Sequence, residues 1–178
     1  NLDPKVQLSV VSQFEKRPEF IMLDTMNFWM DNTLENLLKI ISKVDLLCIN
    51  DEEVIQLSGC EDHKNGIKKI LTMGPKYLIM KKGEFGATLY SDSLEFFCPS
   101  FKINKVIDPT GAGDSFAGAF AGYLAESKKH TFKSISNALI YANAVASFCV
   151  EKFGIDNMLN ISKAEIDKRI SFIKKHNN

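Results

Sequence analysis

Little in this chain is set up for metal, disulfide or membrane chemistry. It holds one tryptophan, three histidines and four cysteines, and Cys48, Cys60, Cys98 and Cys149 stand far apart without a C-x-x-C pair. That spacing excludes a zinc ribbon and a disulfide framework. His63, His130 and His176 are as scattered. Cys48 and Cys149 fall in apolar stretches, which predicts buried, inert thiols. No sign of charge is in excess either. Lysine plus arginine total 22 and aspartate plus glutamate total 22, so the electrostatic drive toward nucleic acid or an anionic membrane is missing. No apolar run approaches the roughly 20 residues that span a bilayer. The opening Asn1-Leu2-Asp3-Pro4-Lys5 lacks the basic and apolar regions of a signal peptide. Repeats, low-complexity tracts and Pro/Gly/Ser linkers are also missing. A soluble, cytoplasmic chain without nucleic-acid or membrane partners is the expectation.

What is present is ordinary globular material: 178 residues, 45% hydrophobic and 25% charged, enough for one well-cored domain. Apolar runs alternate with helical patterns, which implies an α/β fold with a mostly parallel sheet covered by helices on both faces. Asp3 and Pro4 start a helix through Phe14. Strands are expected at 20–23, 45–49 and 77–81, with helices at 33–42, 52–57 and 64–73 between them. Shorter strands at 87–90, 95–97 and 105–107 suggest an antiparallel edge. From Gly113 the chain reads as helical, with further helices at 131–150 and 163–174 and a break at Gly154.

The most informative segment is Asp108-Pro109-Thr110-Gly111-Ala112-Gly113-Asp114-Ser115-Phe116, which runs into the small, apolar helix beginning at Ala117. Gly111 and Gly113 remove side chains that would keep an anion from the backbone, and the first N–H groups of the helix carry partial positive charge toward it. Asp114 then sets a carboxylate beside the same spot. A carboxylate there repels a phosphate, so binding alone does not explain it; a base that takes a proton from an attacking hydroxyl does. The residues thus read as phosphoryl transfer to an alcohol. The alternative is a plain strand-to-helix connection with an aspartate cap.

This string resembles the second signature of the ribokinase-like carbohydrate kinase family, also called the PfkB family. The resemblance implies a ribokinase-like three-layer α/β/α fold and an ATP-dependent sugar kinase. In that reading Asp114 is the catalytic base, and the Gly111-Ala112-Gly113 turn forms the anion hole through the N–H groups of Ala112, Gly113 and Asp114. Thr110 would face the nucleotide phosphates. Asp108 sits where several relatives hold a monovalent cation such as K⁺, although their second, hydroxyl partner is Met158 here.

Other segments fit the same family in the expected order. Asn50-Asp51-Glu52-Glu53 follows a strand-like run and resembles the N-x-x-E element, in which Asn50 and Glu53 would organise Mg²⁺ and its waters. The same residues also describe an ordinary acidic helix start. Lys82-Gly83-Glu84-Phe85-Gly86 resembles the nucleotide-side loop, with Lys82, Gly83 and Gly86 near the ATP; a tight hairpin turn gives the same pattern. Asn143 and Ala146, on a small-residue helix, are implied for the adenine edge, and close helix packing is the other account of that face. One stretch departs from the family: Asp24-Thr25-Met26-Asn27-Phe28-Trp29 has no arginine for a phosphate clamp, leaving Asp24 and Asn27 as cleft residues and Trp29 as an apolar anchor. The resemblance covers residues 1–178 as the C-terminal, ATP-binding portion of a kinase whose N-terminal sugar-binding and lid portion is absent. It implies a small-molecule partner, a sugar or nucleoside, and a homodimer in the full-length protein. A nucleoside or vitamin kinase, or a non-catalytic nucleotide-binding module, stands as the alternative function.

Overall fold

The computed structural model describes residues 2–177, which divide into two compact units: residues 2–81 with 89–95, and residues 82–88 with 96–177. In unit one, Asp3 caps α1 (Pro4–Ser12) by accepting from the Lys5 N–H at 2.7 Å, with proline at the first helical position, where its missing N–H is no loss. β1 (Met22–Asp24) follows, then α2 (Asn27–Asn32), α3 (Leu34–Ile41), β2 (Leu46–Asn50), α4 (Asp51–Ser58), α5 (His63–Leu71) and β3 (Tyr77–Lys81). β4 (Ala87–Tyr90) and β5 (Glu95–Cys98) complete a five-stranded sheet in the order β1-β2-β3-β4-β5, mostly parallel with an antiparallel edge and flanked by helices.

The register of the parallel strands decides which residues stand level at their carboxyl ends. Leu23 pairs with Leu47, Asp24 with Cys48, and Asn50 with Lys81. β2 and β3 are each buried over their first four residues and half-buried at the last, as expected of central parallel strands covered on both faces. Their burial, with Leu37, Ile40, Ile41, Val54 and Ile70, forms the core of unit one.

Unit two is helical. α6 (Ala112–Ser127), α7 (Phe132–Cys149) and α8 (Lys163–Lys175) carry its core. Phe116 and Phe120 of α6 stack at 6.1 Å, and α7 buries Ile135, Ala138, Leu139, Ala142 and Phe148. α8 docks through Ile173 and through Phe172, whose ring meets Phe101 edge-on at 5.1 Å. Thr131 and Ser162 cap α7 and α8, the latter in a reciprocal capping box with Glu165.

The expected elements form with four differences. The first strand covers Met22–Asp24 rather than 20–23. α1 stops at Ser12 rather than Phe14. Residues 27–32 form a helix where no element was expected. No strand forms at 105–107: the N–H groups of Ile107 and Asp108 both go to the Val150 carbonyl, at 2.8 and 3.3 Å, so the segment is tied to the end of α7. Among the described residues no helix is long and apolar enough to cross a membrane.

Candidate functional site

In unit one the carboxyl ends of β1, β2 and β3 present Asp24, Asn50 and Lys81. The Lys81 ammonium donates to both Asp24 oxygens, at 3.0 and 3.2 Å. Asn50 and Glu53 form a capping box over α4: the Asn50 side chain accepts from the Glu53 N–H and the Glu53 carboxylate accepts from the Asn50 N–H, each at 2.8 Å. Glu53 is only 6% exposed. Burial raises its pKa above the ordinary glutamate value, against the lowering effect of the Asn50 N–H, Lys81 and the Asn27 N–H. Cys48, behind these residues, is pushed up to about 12 by burial and stays a thiol. Trp29 packs half-buried against the core and meets Phe28 edge-on at 4.8 Å, the arrangement of an anchor. Asn27 is exposed.

In unit two, Gly83–Phe85 forms a single 3₁₀ turn, closed by a bond from the Lys82 N–H to the Gly86 carbonyl at 2.8 Å. Gly86 has φ +107°, and a Cβ there would meet the Cys98 carbonyl and lie 2.7 Å from the Ser100 nitrogen. Only glycine fits that crossing. The Ser100 hydroxyl donates to the Glu84 carbonyl and fixes the turn from the other side.

The glycine turn before α6 leaves part of its backbone uncapped. Gly111 sits at φ +81° as N-cap, and no side chain caps the helix. The Ala112 N–H is already engaged with the Pro109 carbonyl at 3.2 Å, and the Ser115 N–H with Gly111 at 2.8 Å. Among the described hydrogen bonds, the N–H groups of Gly113 and Asp114 have no partner. Two of the three anticipated donors are therefore open, and Ala112 is spent on the turn itself. Asp114 is exposed in the first turn of α6. Thr110 donates its N–H to Asp108 at 2.9 Å; the backbone and side chain of Thr110, with the N–H of Gly154, hold the Asp108 carboxyl below its usual value.

Beside this turn opens a cavity of about 680 Å³, lined in part by Phe85, Lys102, Pro109, Ala112, Asn143 and Ala146. Its size falls within the range of small-molecule sites. Of the sequence-predicted residues, Gly83, Ala112, Asn143 and Ala146 share its wall, whereas Lys82, Gly86, Thr110, Gly111, Gly113 and Asp114 do not line it. The Asn143 amide nitrogen is turned to the Cys98 carbonyl and sulfur, at 3.3 and 3.0 Å. Sequence reading missed Lys81, whose partner lies 57 residues away, and the wall residues Phe85 and Lys102. Phe85 carried a visible signal, an aromatic side chain between two glycines of a turn.

The sequence profile of the pfkB family carbohydrate kinases matches residues 12–161. The chain belongs to the pfkB family. Among curated relatives, a cytidine kinase from Thermococcus kodakarensis is 37% identical over 87 residues, covering 48% of this chain and 31% of the relative. A ribokinase from Arabidopsis thaliana is 28% identical over 155 residues, covering 84% and 38%. The solved nucleoside kinase from Methanocaldococcus jannaschii superposes with a TM-score of 0.76 at 26% identity, covering 96% of this chain and 54% of that one. The chain thus spans about a third of the length of these curated relatives.

Proposed function

We propose that this pfkB-family chain is the ATP-binding portion of a kinase that transfers the γ-phosphoryl group of ATP to a hydroxyl of a sugar, with Asp114 as general base. The observation that carries the reading is the uncapped start of α6. Two backbone donors, Gly113 and Asp114, are open at the positive end of a 16-residue helix, beside a carboxylate and next to a cavity. Phosphoryl transfer asks a protein for positioning and charge stabilisation more than for covalent chemistry. These groups supply both. Asp114 takes the proton of the acceptor hydroxyl, the acceptor oxygen bonds to the γ-phosphorus, and the bond to the bridging oxygen breaks as ADP leaves. The open N–H groups stabilise charge on the phosphoryl oxygens.

In unit two, the cavity wall with Asn143 and Ala146 receives the base, Thr110 faces the phosphates, and Lys82 with the Gly83 and Gly86 turn borders the nucleotide. In unit one, Asn50 and Glu53 are the residues that would organise Mg²⁺. Their oxygens already serve a capping box and Glu53 is buried. Among the described residues no group of three or more His, Cys, Asp or Glu could hold a metal. The fit is therefore to an ion that keeps its water shell and bonds substrate phosphates, the usual habit of Mg²⁺, whose charge would neutralise those oxygens. A K⁺ ion would act through Asp108, and comparing turnover in K⁺ and Na⁺ buffers tests that role.

A nucleoside acceptor is the second reading, favoured by the 37% identity to a cytidine kinase. Calorimetric titration of Mg²⁺·ATP into this chain tests the nucleotide site. Saturable binding supports it, and a folded sample that takes up no heat refutes it. Screening sugars and nucleosides with the full-length gene product then separates the two acceptors.

A further inference from the structure

Arg169 of α8 lies outside the cavity wall, yet its side chain is only 12% exposed. One arm of the guanidinium donates to Glu151 Oε2 at 2.7 Å and the other to Ser147 Oγ at 2.7 Å. Its carbon lies 3.4 Å from the centre of the Phe148 ring and 4.5 Å from that of Phe101. A planar fork that reaches two acceptors while stacking on aromatic faces is work that lysine does not do.

What Arg169 grips is the end of α7, and that end has two further connections. Ala146, Ser147 and Val150 belong to the wall of the cavity. The Val150 carbonyl takes the N–H groups of Ile107 and Asp108, and the Cys149 thiol donates to the Thr110 carbonyl at 3.5 Å. Asn157 closes the far side by donating to the Phe148 carbonyl at 2.8 Å and to Glu151 at 3.1 Å. A continuous set of contacts therefore runs from Arg169 through residues 147–151 to residues 107–110, which lead directly into the open N–H groups of α6.

We propose that Arg169 is a positioning residue for the anion-binding turn: by fixing the end of α7 it holds residues 107–114 where they receive a phosphate. The inference rests on the proposed nucleotide site for the identity of its ligand. It also separates two parts of that ligand. Ser147 also bonds the Ala144 carbonyl at 2.6 Å within α7, and the wall residues Asn143 and Ala146 lie further into that helix. The turn is held by the end of α7 and, through the Asp108 carboxyl, by the N–H of Gly154 just beyond it.

The test uses this chain and its R169M and R169K variants, titrated with Mg²⁺·ATP and with adenosine, and followed by amide hydrogen exchange without ligand. For R169M, Mg²⁺·ATP should weaken by about tenfold or more and adenosine by less than about twofold, since misplacing a charged cradle is felt by the phosphates. R169K, which keeps one of the two contacts, should fall between. Exchange at Ile107 and Asp108 should speed up in R169M while that in the middle of α6 does not change. Parallel loss of both ligands would show general loosening and overturn the proposal, as would unchanged Mg²⁺·ATP affinity. If R169M does not fold, R169K decides by the same comparison. If the unmodified chain binds no nucleotide, the nucleotide reading fails by itself, and the exchange rates still judge the link from Arg169 to the turn: unchanged rates at Ile107 and Asp108 refute it.

Discussion

Replacing Gly113 by alanine separates the two reasons a glycine can occupy this turn. Gly113 is the second residue of α6, its φ is not positive, and nothing lies within 4 Å of an added Cβ. The fold has no need of glycine there. Alanine is the better helix former by about 0.5–1 kcal/mol in a helix interior, somewhat less in a first turn. For a chain of this size that gain corresponds to a melting temperature higher by about 1–4 °C. Ligand binding should move the other way. The space that a Cβ enters is the space a phosphate needs to reach the Gly113 N–H, and losing one hydrogen bond to a charged group costs about 1.5–3 kcal/mol. That is a loss of roughly tenfold to a hundredfold in Mg²⁺·ATP affinity. Thermal melting and calorimetry on G113A read the two quantities separately. A variant that is more stable and binds more weakly fits the account; one that binds Mg²⁺·ATP as tightly as the unmodified chain refutes the claim that this glycine admits an anion.

Other perturbations have equally definite outcomes. Leu78, fully buried in β3, should lose about 2–5 kcal/mol of stability as alanine, read by denaturant unfolding. Glu53 has a folded-state pKa raised by burial, so its ionised form works against folding. Its contribution is therefore favourable below the ordinary value of 4.5, is lost as pH rises through the raised value, and stays lost at neutral pH. Glu53→Gln, which keeps an acceptor for the Asn50 N–H, should remove that pH dependence, and a profile identical to the parent's would contradict the assignment. Of the four free cysteines only Cys60 is not buried. With Cys48 pushed up to about 12 and Cys98 to about 11, a disulfide reagent at neutral pH should titrate one thiol quickly and the rest only on unfolding.

Much of the fold was legible because β2 and β3 read as continuous apolar runs and the helix starts carry their caps in sequence, Asp3 before Pro4 and Ser162 before Glu165. The backbone of the glycine turn was legible too: its conformation needs glycine at Gly111, and the helix starts without a capping side chain; that it receives an anion stays a proposal. Contacts made between distant residues were not. Lys81 and Asp24 meet across 57 positions, and Arg169 reaches Ser147 and Glu151 from another helix, so no local pattern announces either. The expected strand at 105–107 failed because apolar alternation says nothing about which acceptor is near; Val150 took the donors. The helix at 27–32 begins without a side-chain cap and so left no start signal. Asn50 and Glu53 show both readings at once, a helix start by geometry and candidate metal organisers by chemistry.

The most direct test of the central claim is phosphoryl transfer by the full-length gene product carrying Asp114→Asn, with Mg²⁺·ATP affinity measured on the same sample. The account predicts a fall in kcat of about 10²–10⁴, the usual contribution of a general base, with nucleotide affinity nearly unchanged because the backbone donors remain. Turnover close to that of the unmodified enzyme would contradict it.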